Sequence, residues 1–170
     1  MFAGCSILIQ QGDGSGAFYK SWSEMKVGFN ESENYWIGND RLHALTSSGS
    51  RKLRIDLFKN GSHHTAEYSK FTVGSESTGY ALRQGGYDGT AGDCLIYNEA
   101  LPFSTYDGGP SRDCANKNQG SWWYSRCTFA GMNNKINHQD GFTWHCDMSV
   151  FGDGWTDDDQ LSTTQMWLCD

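Results

Sequence analysis

With 170 residues the chain has the length of one domain, and 21 glycines against two prolines describe a loop-rich globule rather than a disordered segment. Its hydrophobic fraction is only 37%, but seven Trp, eight Tyr and nine Phe bury more area per residue than aliphatics would. A net charge of −7 lacks the basic footprint that nucleic acid or an anionic membrane surface requires, and no run of 18 apolar residues offers a membrane span, so neither is expected as a partner.

Ser6–Gln10 (SILIQ) is a short apolar run that predicts a buried strand, ended by the turn Gly12-Asp13-Gly14-Ser15-Gly16. From Ala17 to Gly28, the spacing of Phe18, Trp22 and Met25 predicts a short amphipathic helix. Trp36 and Ile37 begin a second strand, and Arg41–Leu45 form a helical turn with Leu42 and Leu45 inward. Leu53-Arg54-Ile55-Asp56-Leu57 alternates with period two, as a strand with one wet face does. Asn60-Gly61 then gives a strong hairpin signal, and Thr65–Val73 returns as the partner strand through Ala66, Tyr68 and Phe71. His63 and His64, just beyond the turn, are expected at the surface.

The stretch Tyr80–Cys127 organises the rest. Gly85, Gly86, Gly89 and Gly92 lead in, and Cys114 and Cys127 bracket Gly120 and the run Trp122-Trp123-Tyr124. Glycines and the absence of a 3.6-residue period argue against helix, so the stretch reads as loops stapled over a core. Beyond it, Gly141–Asp170 forms a tail closing on Thr163-Thr164-Gln165-Met166-Trp167-Leu168, and an acidic run, Asp153-Gly154-Trp155-Thr156-Asp157-Asp158-Asp159, reads as a solvated face.

Six cysteines (5, 94, 114, 127, 146 and 169) form an even set without CxxC spacing, so disulfides rather than zinc are expected. Asn30-Glu31-Ser32 and Asn60-Gly61-Ser62 are acceptor patterns for N-linked glycans and fit a secreted, extracellular glycoprotein. Met1 does not open a signal peptide, so a secreted protein of this kind is expected to be an excised module. No HExxH, GxSxG or phosphate loop is present, and the five histidines lack metal-ligand spacing, so no enzyme is expected.

Several segments together resemble the fibrinogen-related domain, the C-terminal globular module of fibrinogen chains and of ficolin- and tachylectin-like lectins. They are Gly85-Gly86-Tyr87 with Gly89-Thr90-Ala91-Gly92-Asp93, then Phe103-Ser104-Thr105-Tyr106-Asp107, then Trp122-Trp123-Tyr124 ahead of Cys127. Phe18-Tyr19, Trp36-Ile37-Gly38, Leu42-His43, Leu53–Leu57 and Ala66-Glu67-Tyr68 agree in order; the likeness covers roughly residues 6 to 140. It implies an α+β fold in a single domain over 1–170 from which the family's N-terminal subdomain is missing. A central antiparallel sheet with short helices would span 6–78, a loop-rich binding subdomain 79–160, and a final strand returning to the sheet 161–170.

The resemblance also implies a Cys114–Cys127 bridge, a cis peptide at Arg126–Cys127 and a shallow pocket beside it. Four other cysteines allow three pairings; Cys5–Cys169 with Cys94–Cys146 is preferred because the terminal strands are neighbours in this fold. Exposed backbone amides at such a kink can donate to an N-acetyl carbonyl while aromatic walls receive the methyl. The family's His after the second cysteine is Thr128 here, and His138 stands near the place of a pocket Tyr. Arg126, Cys127, Thr128, Tyr124, His138, Gln139 and Trp155 are therefore the candidate ligand contacts, with Phe142, Trp144 and Phe151 as replacement walls. The family's calcium loop is shortened: Tyr106 and Gly108 stand where its two Asp ligands would be. Asp107 and Asp113 remain as candidate metal ligands, fewer carboxylates than calcium's six to eight oxygens call for.

The function implied is a secreted lectin and pattern-recognition module of innate immunity, binding acetylated or other sugars of bacterial surface polysaccharide. The alternative is a protein-interaction module binding a peptide or receptor with the same face. Homo-oligomerisation through coiled coils outside this sequence is expected of the parent protein.

Overall fold

The strand with the clearest alternation sits at the middle of the molecule. In the computed structural model, which describes residues 4–59, 61–146 and 161–170, β4 (Arg51–Lys59) pairs with β5 (Ser62–Val73) from Arg51↔Phe71 to Lys59↔Ser62. That register leaves a two-residue turn at Asn60-Gly61, as the dipeptide requires; Asn60 itself lies outside the described residues. The supposedly wet face of β4 is covered. Asp56 is fully buried, with Arg54 Nη2 3.0 Å and His63 Nε2 2.7 Å from its Oδ1, and His63 stacks on Phe58 with ring centres 4.6 Å apart. A buried carboxylate persists because its charge is paired.

Seven strands form one antiparallel sheet in the order β2-β3-β1-β7-β4-β5-β6, where β1 is Cys5–Gly12, β2 Phe29–Glu31, β3 Asn34–Trp36, β6 Leu82–Gly89 and β7 Thr163–Cys169. The last strand is central, lying between β1 and β4. Cys5 faces Cys169 in the β1–β7 register, and the two are bridged across a Cα separation of 3.8 Å. Cys94–Cys146 and Cys114–Cys127 are the other bridges, which are the pairings expected from the resemblance.

Local differences from the sequence reading have local causes. The helix expected over 17–28 is only α1 (Trp22–Val27), because Ser21 caps it: the Ser21 side chain accepts from Glu24 N–H and Glu24 reaches back to Ser21 N–H. Trp36 ends rather than begins a strand, because Phe29–Glu31 folds back on Asn34–Trp36 as a short hairpin. The helical turn extends to α2 (Asn39–Ser47), with Leu42 buried; Thr46 Oγ1 accepts from Val73 N–H at 3.0 Å and docks the helix on β5.

Two elements lie inside the stretch expected to be loops. The glycine-rich run is strand β6, paired with β5 from Ala66↔Gly89 to Val73↔Leu82. Gly86 is required there because it adopts φ +69° and a Cβ would meet Ser69 Oγ at 1.9 Å. Arg112–Asn118 is helix α3, whose weak apolar pattern follows from burying only Ala115 and Asn118. The core joins Trp36, Phe103, Trp122 and Trp123 in one aromatic cluster, with ring centres 4.9 to 5.9 Å apart along Trp36–Phe103, Phe103–Trp123 and Trp122–Trp123.

Candidate functional site

Three segments converge beside the Cys114–Cys127 bridge. The first is a 3₁₀ turn, Leu95–Asn98, which buries Leu95 and Asn98 and therefore presents Ile96 and Tyr97 outward, 52% and 47% exposed. Asn98 pins this turn to the second segment, Ser125–Phe129: its Nδ2 donates to the Trp123 carbonyl at 2.8 Å and to Thr128 Oγ1 at 3.2 Å. Tyr97 and the half-exposed Phe129 are thereby placed with ring centres 4.8 Å apart. The third segment is the turn 135–141, which delivers Asp140.

Asp140 is fixed by reciprocal bonds with α3. Its N–H donates to Asn118 Oδ1 at 2.9 Å, while its Oδ2 accepts from Asn118 Nδ2 at 3.3 Å and from Thr128 N–H at 3.1 Å. Between these segments lies a cavity of 380 Å³ lined by Tyr97, Ser125, Arg126, Cys127, Thr128, Phe129 and Asp140. Such a volume is that of a small-ligand site, about 300 to 1,000 Å³. Among the described residues, the N–H groups of Arg126 and Cys127 make no hydrogen bond within the protein, so two donors lie free in the cavity's own backbone. A second cavity, of 280 Å³, lies on the sheet near Cys5–Cys169, where charges pair with one another, as Arg54 does with Glu67 at 2.9 Å.

The backbone at the bridge differs from the expectation. All peptide bonds among the described residues are trans, Arg126–Cys127 included. Trans is the low-energy form of a non-proline linkage, and the bend is held instead by Ser125 N–H donating to the Cys127 carbonyl at 2.7 Å.

Of the candidate ligand contacts, Arg126, Cys127 and Thr128 line the cavity; the Thr128 hydroxyl turns inward, bonding Asn98 and the Ala130 backbone. Tyr124 does not line it. Its ring is buried and its hydroxyl donates to Asn134 Oδ1 at 2.6 Å; burial, and then the charge of Asp140, push its pKa well above the ordinary tyrosine value. His138 and Gln139 are not cavity residues either, since the turn they occupy points Asp140, not its neighbours, at the bridge. Phe142 and Trp144 are core, with Trp144 Nε1 donating to the Ala91 and Gly92 carbonyls. Trp155, Phe151 and the acidic run 153–159 lie outside the described residues.

Of the candidate calcium ligands, one is engaged elsewhere and one is exposed. Asp107 Oδ1 accepts from Trp22 N–H and from Thr105 Oγ1, each at 2.8 Å, so this carboxylate anchors the first turn of α1. Asp113 is exposed in the first turn of α3, and among the described residues no three of His, Cys, Asp and Glu are grouped so as to hold a metal ion. These residues do not fit a calcium site.

Sequence reasoning missed Tyr97, Ser125, Phe129 and Asp140. The available signal was an aromatic next to a polar capping residue, Tyr97-Asn98, which only the tertiary contact of Asn98 turns into a wall.

A covalently pinned loop cluster with unengaged amides and aromatic walls has the features of a binding site. The sequence matches the family described as fibrinogen beta and gamma chains, C-terminal globular domain, over residues 1–147, and the protein belongs to that family. Its members are non-enzymatic binding modules. The sequence is 38% identical over 146 residues to fibrinogen-like protein A of Apostichopus parvimensis, covering 81% of this chain and 52% of that protein. It is 34% identical over 149 residues to human tenascin-R, covering 84% of this chain and 11% of that protein. The chain thus spans about half the length of the first relative and about a tenth of the second. Among solved structures, the fibrinogen-like globe domain of human ANGPTL6 superposes with a TM-score of 0.77 at 31% identity, over 95% of this chain and 76% of that one. A lamprey fibrin D-dimer complexed with the peptide Gly-His-Arg-Pro-amide gives 0.76 at 26%, over 97% and 63%. Fibrinogen-like homologues are extracellular proteins, in keeping with three disulfides here, and no described helix is long and apolar enough to cross a membrane.

Proposed function

We propose that this protein is a secreted lectin module whose cavity beside Cys114–Cys127 takes the acetyl group of acetylated sugars on microbial surfaces. The observation that carries the reading is that one cavity is lined both by Arg126 and Cys127, whose amides are unengaged, and by an aromatic pair, Tyr97 and Phe129. An acetamido carbonyl accepts from the former, its methyl packs on the latter, and its N–H finds Asp140 Oδ1, which no donor among the described residues occupies. No side chain is asked to react and no metal is needed. The test is a glycan array with the disulfide-intact protein, repeated in EDTA. Binding to N-acetylated glycans, unchanged by chelation, is expected; a total loss on chelation would overturn the metal-free reading.

A second reading, a module that grips a peptide or receptor through the same face, is favoured by one observation. Tyr97 and Phe129, which line the cavity, are about half exposed, as is Ile96 next in sequence to Tyr97, and together they offer more apolar surface than one acetyl group needs. The lamprey fibrin D-dimer, complexed with a peptide, is a neighbour of that kind. An array silent for all glycans, alongside capture of an extracellular protein that Phe129→Ala abolishes, would select it.

A further inference from the structure

The two edges of the sheet are finished differently. On β6 the outer edge is closed by the segment that follows: Leu82 N–H donates to the Leu101 carbonyl, Ala100 N–H donates to the Leu82 carbonyl at 2.8 Å, and Gln84 N–H donates to Glu99 Oε2 at 2.7 Å. On β2 the inner edge pairs with β3, and among the described residues nothing pairs with the outer edge. An open edge is a template for pairing with another polypeptide, and proteins usually cover or blunt it. Asn30 is the middle residue of β2 and opens the acceptor pattern Asn30-Glu31-Ser32. All three residues are exposed, and neither the Asn30 amide nor the Ser32 hydroxyl has a partner among the described residues. Glu31 is held aside by Lys20 at 2.7 Å.

We propose that Asn30 carries an N-linked oligosaccharide whose bulk covers the open edge at β2. The chemistry is transfer from a polyprenyl-pyrophosphate-linked oligosaccharide. The bond from sugar C1 to the pyrophosphate breaks, C1 bonds to Asn30 Nδ2, the amide releases one proton and the polyprenyl pyrophosphate departs. The Ser32 hydroxyl is the group the transferase reads two positions on. Three disulfides place the protein in the oxidising secretory route where that donor is met. The glycan leaves the fold at an exposed position of a three-residue edge strand, so the protein accommodates it without moving a core residue.

The full chain, secreted from a eukaryotic host, is treated with peptide N-glycosidase in heavy-oxygen water and mapped by peptide mass. The expected result is heavy-labelled Asp at position 30, retained in Ser32→Thr and lost in both Asn30→Gln and Ser32→Ala. Secreted protein with unmodified Asn30, or with label at Asn60 alone, would overturn the assignment. Sedimentation of the enzymatically trimmed wild type, whose folding history is that of the glycosylated form, then tests the covering role. Concentration-dependent self-association that the intact glycoprotein lacks is expected; equal monodispersity would show that the glycan does not guard the edge.

Discussion

The sheet and the loop half that carries the cavity are held together by different means. In the sheet, long backbone ladders and alternating apolar side chains set the register, and Leu53, Ile55, Leu57, Ala66, Tyr68 and Phe71 are all buried. Between Phe103 and Cys146 the described strand pairing is reduced to two isolated bridges, Ser104↔Trp122 and Ala130↔Trp144, beside the short helix α3. There, buried Asn and Ser side chains take over from ladders. Asn133 Nδ2 donates to the Ser121 carbonyl, Asn134 Nδ2 to Gly141, Ser121 Oγ to Phe18, and Asn98 and Asn118 hold the cavity segments. Side-chain clamps satisfy buried backbone groups without imposing a repeat. A binding surface can therefore be sculpted on one half while the other stays regular.

The comparison breaks most completely where both halves share residues. Trp123 packs against Trp36 and Phe103 and donates from Nε1 to the Tyr80 carbonyl at 2.8 Å. Trp123→Ala is expected to lower stability by about 3 to 5 kcal/mol in urea unfolding, with sheet and loop signals lost together. Cys114→Ala with Cys127→Ala sharpens the contrast: about 3 kcal/mol of loop-closure stabilisation disappears and ligand binding is abolished, while far-UV circular dichroism keeps the sheet. Asp107→Ala is expected to reduce binding far less; comparable losses in the two would show that the cavity does not depend on the bridge. Asn118→Ala removes the clamp on Asp140, at about 1 to 3 kcal/mol, and weakens binding without disturbing the ladder.

The smallest effect is one of pH. Burial is the leading cause that raises the pKa of Tyr68, Tyr80 and Tyr124, with Asp93, Asp40 and Asp140 respectively adding to it. A folded pKa above the unfolded value of about 10 means that the native state holds protons the unfolded state releases. Stability from these groups is fully present below pH of about 10 and falls as pH rises beyond it. Urea midpoints at rising alkaline pH should decline accordingly, and a Tyr68→Phe variant should decline less steeply.

How much of this was legible follows the same division. The β4–β5 hairpin could be read because period two and Asn-Gly are local signals. The β2–β3 hairpin could not, since Phe29–Glu31 and Asn34–Trp36 are three residues each, too short for a period. Helix α3 hides because its buried positions are Ala115 and Asn118, one small and one polar. At the site, adjacency to the bridge located Arg126, Cys127 and Thr128 but could not say which way Tyr124 turns, and its hydroxyl found Asn134 in the interior. The aromatic walls were invisible because Tyr97 and Phe129 are far apart in sequence and meet only through Asn98. In one dimension the Asp107 carboxylate that caps a helix amide looks the same as a candidate metal ligand.

The placement of β7 between β1 and β4 has a consequence for biosynthesis. Until Thr163–Cys169 has left the ribosome, β1 and β4 have no common neighbour, so the nascent polypeptide holds two unjoined half-sheets with their apolar faces wet. Closure of the sheet must wait until β7 is made, and oxidation of Cys5 with Cys169 then locks β1 to β7 across 164 residues of sequence.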